Sequence, residues 1–127
     1  MAPAMDVLVL DDEPVVGDRL KPVLEEEGHR VEVFVDPREA LERVAEKSFD
    51  IVVTDIRMEN VTGIEVLERV VAKDERAKVI IITGYATMEL AREAMAKMAY
   101  DFVAKPFKLK EIREIVNKAA AARAAGE

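Results

Sequence analysis

Cysteine is absent from this 127-residue chain, histidine occurs once, and no apolar stretch approaches the length of a membrane span. Without cysteine there is no disulfide framework and no thiolate chemistry. The lone His29 has no second His or Cys with which to build a soft metal site, and beside Gly28 it reads as a solvated loop residue. The longest apolar runs, such as 79–82, have strand length, far short of the ~20 residues a spanning helix needs. No charged segment followed by an apolar one opens the sequence, so a cytoplasmic location is the expectation. Positive charge is also in deficit. With 19 Lys and Arg against 26 Asp and Glu the net charge is −7, which argues against electrostatic capture of nucleic acid.

What remains is enough for one domain with a real core: half the residues are apolar and about a third are charged. Short apolar runs alternate with amphipathic stretches, the pattern of repeated βα units around a parallel sheet. Strands are expected at Val7 to Leu10, Val31 to Val35, Ile51 to Thr54, Val79 to Thr83 and Phe102 to Ala104. Helices are expected from Pro14 to Glu27, ending at Gly28, and from Pro37 onward, with Asp36 as cap and Glu39 at capping-box spacing. Three more should run from about Ile64 to Lys73, from about Thr87 to Met98, and from about Lys108 into the Ala-rich tail. The expected division is a disordered lead at 1–5, a folded domain at 6–118 and a helical extension or linker at 119–127. Phe34, Phe49 and Met95 read as core, and Glu25 to Glu27 as a solvated face.

Three acids directly follow apolar strands: Asp11 and Asp12 after the first, Asp55 after the third. In open parallel sheets ligands bind outside the carboxyl ends of the strands, where strand order reverses. Should the first and third strands be neighbours there, the acids converge, and their repulsion asks for a cation. Oxygen donors without His or Cys select Mg²⁺ or a similar hard ion. Taken singly, Asp11 and Asp12 serve as well as helix caps, Thr83 as strand filler and Lys105 as a loop cation. Jointly, a carboxylate nucleophile, a cation, the Thr83 hydroxyl beside Gly84 and the Lys105 ammonium are the parts that stabilise a transferring phosphoryl group.

The motifs VLVLDDEP (7–14), DIVVTDIRM (50–58) followed by Gly63, IITGYAT (81–87) and YDFVAKPF (100–107) together strongly resemble the receiver domains of two-component response regulators. The segment around the fourth helix resembles receivers of nitrogen-regulator-type transcriptional activators. The resemblance implies a flavodoxin-like doubly wound (βα)5 sandwich, an α/β fold with a five-stranded parallel sheet in the order 2-1-3-4-5. It implies a phosphoprotein rather than an enzyme in the ordinary sense. Asp55 would accept a phosphoryl group from a sensor histidine kinase or phosphotransfer protein. Mg²⁺ would be held by Asp11, Asp12, Asp55 and the backbone carbonyl of Arg57. Lys105 would contact the acyl phosphate. Thr83 and Phe102 would form the switch, while Arg57 and Tyr85 tune the lifetime of the phosphoryl group. The Lys105 to Pro106 peptide is expected to be cis. Partner or homodimer contact is expected on the face built from the fourth helix, fifth strand and fifth helix. Output would come from another domain, with no direct nucleic-acid or membrane contact.

Two departures from the family pattern stand out. Glu59 occupies the place of the usual Pro after Met58, and Met98 the place of the usual Gly before the last strand. The second removes the favoured cap of the fourth helix. Two other functions share parts of the pattern: a haloacid-dehalogenase-type phosphohydrolase and a pseudo-receiver that binds partners without phosphorylation. The first expects its nucleophile after the first strand with another Asp two residues on, whereas here Asp11 and Asp12 are adjacent and Glu13 follows. Glu59 keeps the second open.

Overall fold

Five short runs dominated by apolar, often β-branched residues form a parallel sheet, and the amphipathic stretches between them cover its two faces. The computed structural model describes residues 2–84 and 88–127. Strands β1 (Asp6–Leu10), β2 (Arg30–Phe34), β3 (Ile51–Asp55), β4 (Lys78–Thr83) and β5 (Asp101–Ala104) pair in the order β2-β1-β3-β4-β5. Between and after them lie α1 (Pro14–Glu26), α2 (Pro37–Glu46), α3 (Gly63–Lys73), α4 (Met88–Ala96) and α5 (Leu109–Ala124). This is the doubly wound architecture and strand order the sequence implies, with strand ends shifted by one residue at most.

Alternation along each strand divides the core into two layers. Leu8, Leu10, Val52, Val79 and Ile81 face α2, α3 and α4, whereas Val7, Val9, Ile51, Val53, Ile80 and Ile82 face α1 and α5. Register then sets the working edge: Leu10 lies beside Thr54, Asp55 beside Ile82, and Thr83 beside Ala104. Residues 11, 55, 83 and 105 are thus delivered to one rim of the sheet. The order of strands reverses at β1 and β3, which opens a crevice there.

Gly63 ties α3 to that rim. A Cβ at this position would stand 2.5 Å from the Asp55 carbonyl oxygen and 2.7 Å from Ile56 Cα, so only glycine lets the helix begin this close to β3. Asp36 caps α2 as expected, but its carboxylate accepts the Arg38 N–H at 2.9 Å rather than the N–H of Glu39. Thr62 caps α3 by accepting the Glu65 N–H at 3.2 Å.

Three expectations need correction. His29 is buried, not solvated: Nδ1 accepts the Met5 N–H at 3.2 Å, and Nε2 lies 3.0 Å from Asn117 Oδ1 on α5. The ring pins the entry of β1 to the last helix. Met95 is exposed rather than core, and α4 buries only Ala91 and Ala94 among its described residues. The missing glycine does not cost α4 its cap. Met98 itself takes a left-handed conformation, φ 77°, with Ala99 N–H bonded to Ala94 O at 3.0 Å and Met98 N–H to Met95 O at 3.3 Å. The start of this helix expected at Thr87 lies outside the described residues.

The division at 118/119 falls inside α5. Ala119 and Ala120 are fully buried beyond it, and Arg123 reaches Asp50 at 3.0 Å and Asp74 at 2.6 Å. Met5, in the expected lead, is buried as well.

These contacts have measurable consequences for stability. Met98 is 66% exposed, so its side chain contributes little that would offset the left-handed backbone. Met98→Gly should therefore raise unfolding free energy by about 1 kcal/mol, less the entropy glycine adds to the unfolded chain, with the urea m-value unchanged. His29→Leu should lower it by roughly 1–3 kcal/mol in the same titration, because the Met5 N–H and the Asn117 amide lose their partner.

Candidate functional site

Asp11 leaves the end of β1 with its own N–H bonded to Phe34 O, and its Oδ1 accepts the Glu13 N–H at 2.9 Å. That turn starts α1 and aims the second oxygen, Oδ2, inward. Asp55 is the last residue of β3. Behind it the chain is fixed by Ile56 N–H to Ile82 O, Gly63 N–H to Ile56 O, and the fully buried Ile56 side chain. Asp11 is 2% exposed and Asp55 7%, while Asp12 is exposed. One carboxylate oxygen from each of Asp11, Asp12 and Asp55 lies within 4.8 Å of the others.

Lys105 follows β5, its N–H bonded to Thr83 O at 2.7 Å, and its peptide to Pro106 is cis as expected. Its ammonium reaches back over the acids: Nζ is 3.0 Å from Asp11 Oδ2, 3.0 Å from Glu13 Oε1 and 3.4 Å from Asp55 Oδ2. Thr83 is fully buried at the end of β4, with its hydroxyl donating to Gly84 O at 3.0 Å. Arg57 is exposed and pairs through its backbone with Thr62, which shapes the loop after Asp55. Phe102 is half-buried against the layer of α2, α3 and α4. Tyr85 lies outside the described residues. Sequence reasoning singled out Asp11, Asp12, Asp55 and Lys105, and the fold brings all four together. It passed over Glu13, whose position as a third consecutive acid gives no sign that its side chain meets Lys105.

The pocket is electrostatically costly. Burial, and then the charge of Asp11, push the Asp55 carboxyl above the usual aspartate range despite the nearby lysine. Burial likewise raises Asp11, against the opposing Glu13 N–H and Lys105. Burial alone would lower Lys105, yet the facing Asp11 and Glu13 carboxylates and the charge of Asp55 hold it well above the ordinary lysine value. Asp11 Oδ2, although in ionic contact with Nζ, has no well-directed hydrogen bond. A buried carboxylate oxygen without such a partner, in a set of three oxygen donors, fits a hard divalent cation.

A doubly wound α/β domain with carboxylates and a lysine gathered at its topological switch point is the class this geometry defines. Comparison with known proteins narrows it. The chain belongs to the response regulator receiver domain family of two-component systems, whose model matches residues 7–117. It is 34% identical over 113 residues to the transcriptional regulatory protein FixJ of Bradyrhizobium diazoefficiens, covering 89% of this chain and 55% of FixJ. The chain thus spans about half the length of that relative. Among solved structures, a response regulator receiver domain protein from Clostridium thermocellum superposes with TM-score 0.90 at 28% identity, covering 98% of this chain and all of that one. NtrX from Brucella abortus gives 0.89 at 28% identity, covering 98% of this chain and 29% of NtrX. Among the described residues, no helix is long and apolar enough to cross a membrane.

The raised carboxyls carry a signed prediction. A native state that holds protons more tightly than the unfolded chain is favoured at low pH, and that contribution is lost as pH rises through the raised values of Asp11 and Asp55. At neutral pH without divalent ions their charges therefore oppose folding. Asp55→Asn should melt several degrees higher than wild type under those conditions, by circular dichroism, and should gain less from added Mg²⁺. A lower melting temperature for the variant would contradict this account.

Proposed function

We propose that this domain is a phosphoacceptor switch in which Asp55 takes a phosphoryl group from a sensor histidine kinase or phosphotransfer protein. The reading is carried by the grouping of Asp11, Asp12, Asp55 and Lys105 in one crevice, with Asp55 desolvated at its floor. It is supported by membership of the receiver family.

An oxygen of the Asp55 carboxylate attacks the phosphorus of the donor phosphohistidine. The new O–P bond forms as the P–N bond breaks, and the electron pair leaves with the donor imidazole. Asp11, Asp12, Asp55 and the Arg57 carbonyl would hold Mg²⁺, which would offset charge on the carboxylates and phosphoryl oxygens. Lys105, already charged and poised over the acids, pairs with the phosphoryl group as it arrives. Thr83 turns its hydroxyl toward a phosphoryl oxygen, and Phe102 moves inward behind it. Arg57 and Tyr85 set the lifetime of the acyl phosphate. The domain catalyses at most its own phosphorylation and slow dephosphorylation.

Output passes through the face formed by α4, β5 and α5, where a partner, a homodimer or an attached output domain reads the change. The receiver is centred on residues 6–118, and α5 continues past that boundary with Ala119 and Ala120 still in the core, so that only the last residues of the chain are free to connect to an output module. In this reading the domain works in the cytoplasm and acts on transcription through an output module, without touching nucleic acid itself.

Intact mass after incubation with acetyl phosphate and Mg²⁺ tests the assignment. Wild type should gain one phosphoryl group, while Asp55→Asn should gain none. Equal labelling of both proteins would place the acceptor elsewhere.

A further inference from the structure

Lys105 is shared, and its closest partners are not the residue it is expected to serve. Its ammonium is 3.0 Å from both Asp11 Oδ2 and Glu13 Oε1, but 3.4 Å from Asp55 Oδ2. Asp11 is buried and fixed by the Glu13 N–H, so it forms a permanent wall of the pocket. Glu13 differs. Its side chain is 63% exposed and stands at the mouth of the pocket.

Glu13 also occupies the N-cap of α1, yet it makes no side-chain capping bond there. A residue at that place commonly spends its side-chain oxygen on the helix N-terminus. Here the oxygen goes to Lys105 instead, and α1 begins on Pro14, whose missing N–H asks for no acceptor. The contact is therefore not a by-product of helix capping.

We infer that Glu13 is a positioning residue that shares the Lys105 ammonium with Asp55 in the unphosphorylated domain, drawing it toward the pocket mouth, and competes with the incoming phosphoryl group for it. This rests on the phosphoacceptor reading of Asp55. An exposed carboxylate suits the part, because an ion pair open to solvent is weak enough to be exchanged. When a phosphoryl group arrives on Asp55, Nζ leaves Glu13 Oε1 and takes a phosphoryl oxygen, while Asp11 keeps the lysine in the pocket. The strength of the Glu13 contact thereby sets how readily the site is filled.

The test uses the full chain with ¹⁵N-labelled lysine, as wild type, Glu13→Gln and Glu59→Gln. Glu59 is a second exposed acid near the pocket mouth, lining a cavity with Asp12, and it has no ion pair with Lys105 among the described contacts. Glu13→Gln should shift the Lys105 ammonium resonance and speed phosphoryl uptake from acetyl phosphate about two- to fivefold, the reach of one exposed ion pair. Glu59→Gln should leave the resonance where it is in wild type. Because Glu13 is exposed and caps nothing, its variant should fold; circular dichroism checks this, and Glu13→Ala repeats both measurements. An unmoved resonance, or an equal rate gain in Glu59→Gln, overturns the inference. A wild type that takes up no phosphoryl group refutes the phosphoacceptor reading instead, and the resonance still decides whether Glu13 holds Lys105.

Discussion

The crowding of Asp11 and Asp55 beneath a single ammonium is the interaction on which the rest of this structure depends. Two buried like charges a few ångströms apart are unstable by themselves, and a flexible chain would separate them. Here they cannot separate. Asp11 is locked by Phe34 O on one side and the Glu13 N–H on the other, and Asp55 by the turn that Ile56 and Gly63 close behind it. The sheet register, fixed by two apolar layers, holds both at the same rim. The fold thus keeps a site whose charges favour anything that brings positive charge in.

The opposite rim of the sheet and the outer edge of β2 have the reverse electrostatics. Arg30 and Lys47 meet Asp6, Arg43 and Lys47 meet Glu32, and Arg123 joins Asp50 to Asp74. The hydrogen bonds from Arg30, Arg43 and Arg123 hold the carboxyls of Asp6, Glu32 and Asp74 below their usual range. Each of those groups favours folding above the ordinary carboxylate range, and the benefit is lost as pH falls. Asp11 and Asp55 act with the opposite sign. Individually the exposed pairs contribute little, about 0–1 kcal/mol each. Their arrangement matters more, because complementary charges gather at one rim and along the β2 edge, and opposed charges at the other rim, where the chemistry is.

Much of this was legible in the residues, for physical reasons that also mark the limits. All-apolar runs such as Val7 to Leu10 and Ile51 to Val53 read as buried parallel strands because both faces of the sheet are covered. Acids placed directly after them could then be assigned to a common rim from the residues alone. Features that depend on long-range packing were not legible. His29 is buried only because Met5 and Asn117 converge on it from segments 24 and 88 residues away. Ala119 and Ala120 look like linker in a tract of alanines, yet small side chains let α5 lie close on the sheet. Met98 removed a glycine signal while the backbone geometry survived, since the hydrogen bonds of the cap are made by the main chain.

The same packing argues where a change at the rim would be felt. Lys105 and Thr83 are joined through one main-chain hydrogen bond at the ends of β5 and β4, so a pull on either side chain loads both strands. Both α4 and α5 rest on those strands, on opposite faces, and α3 also lies against β4. Whereas α3 buries Ile64, Val66, Leu67 and Val70, and α5 buries Ile112 and Val116, α4 buries only two alanines among its described residues. It also ends on the left-handed Met98. Apolar area sets how firmly a helix is anchored, at roughly 25 cal/mol per Å², so α4 is the least anchored of the three. A modest rearrangement of Thr83 and Lys105 would therefore displace α4 before it disturbed the helices around it, which gives the proposed output face a physical origin in side-chain size.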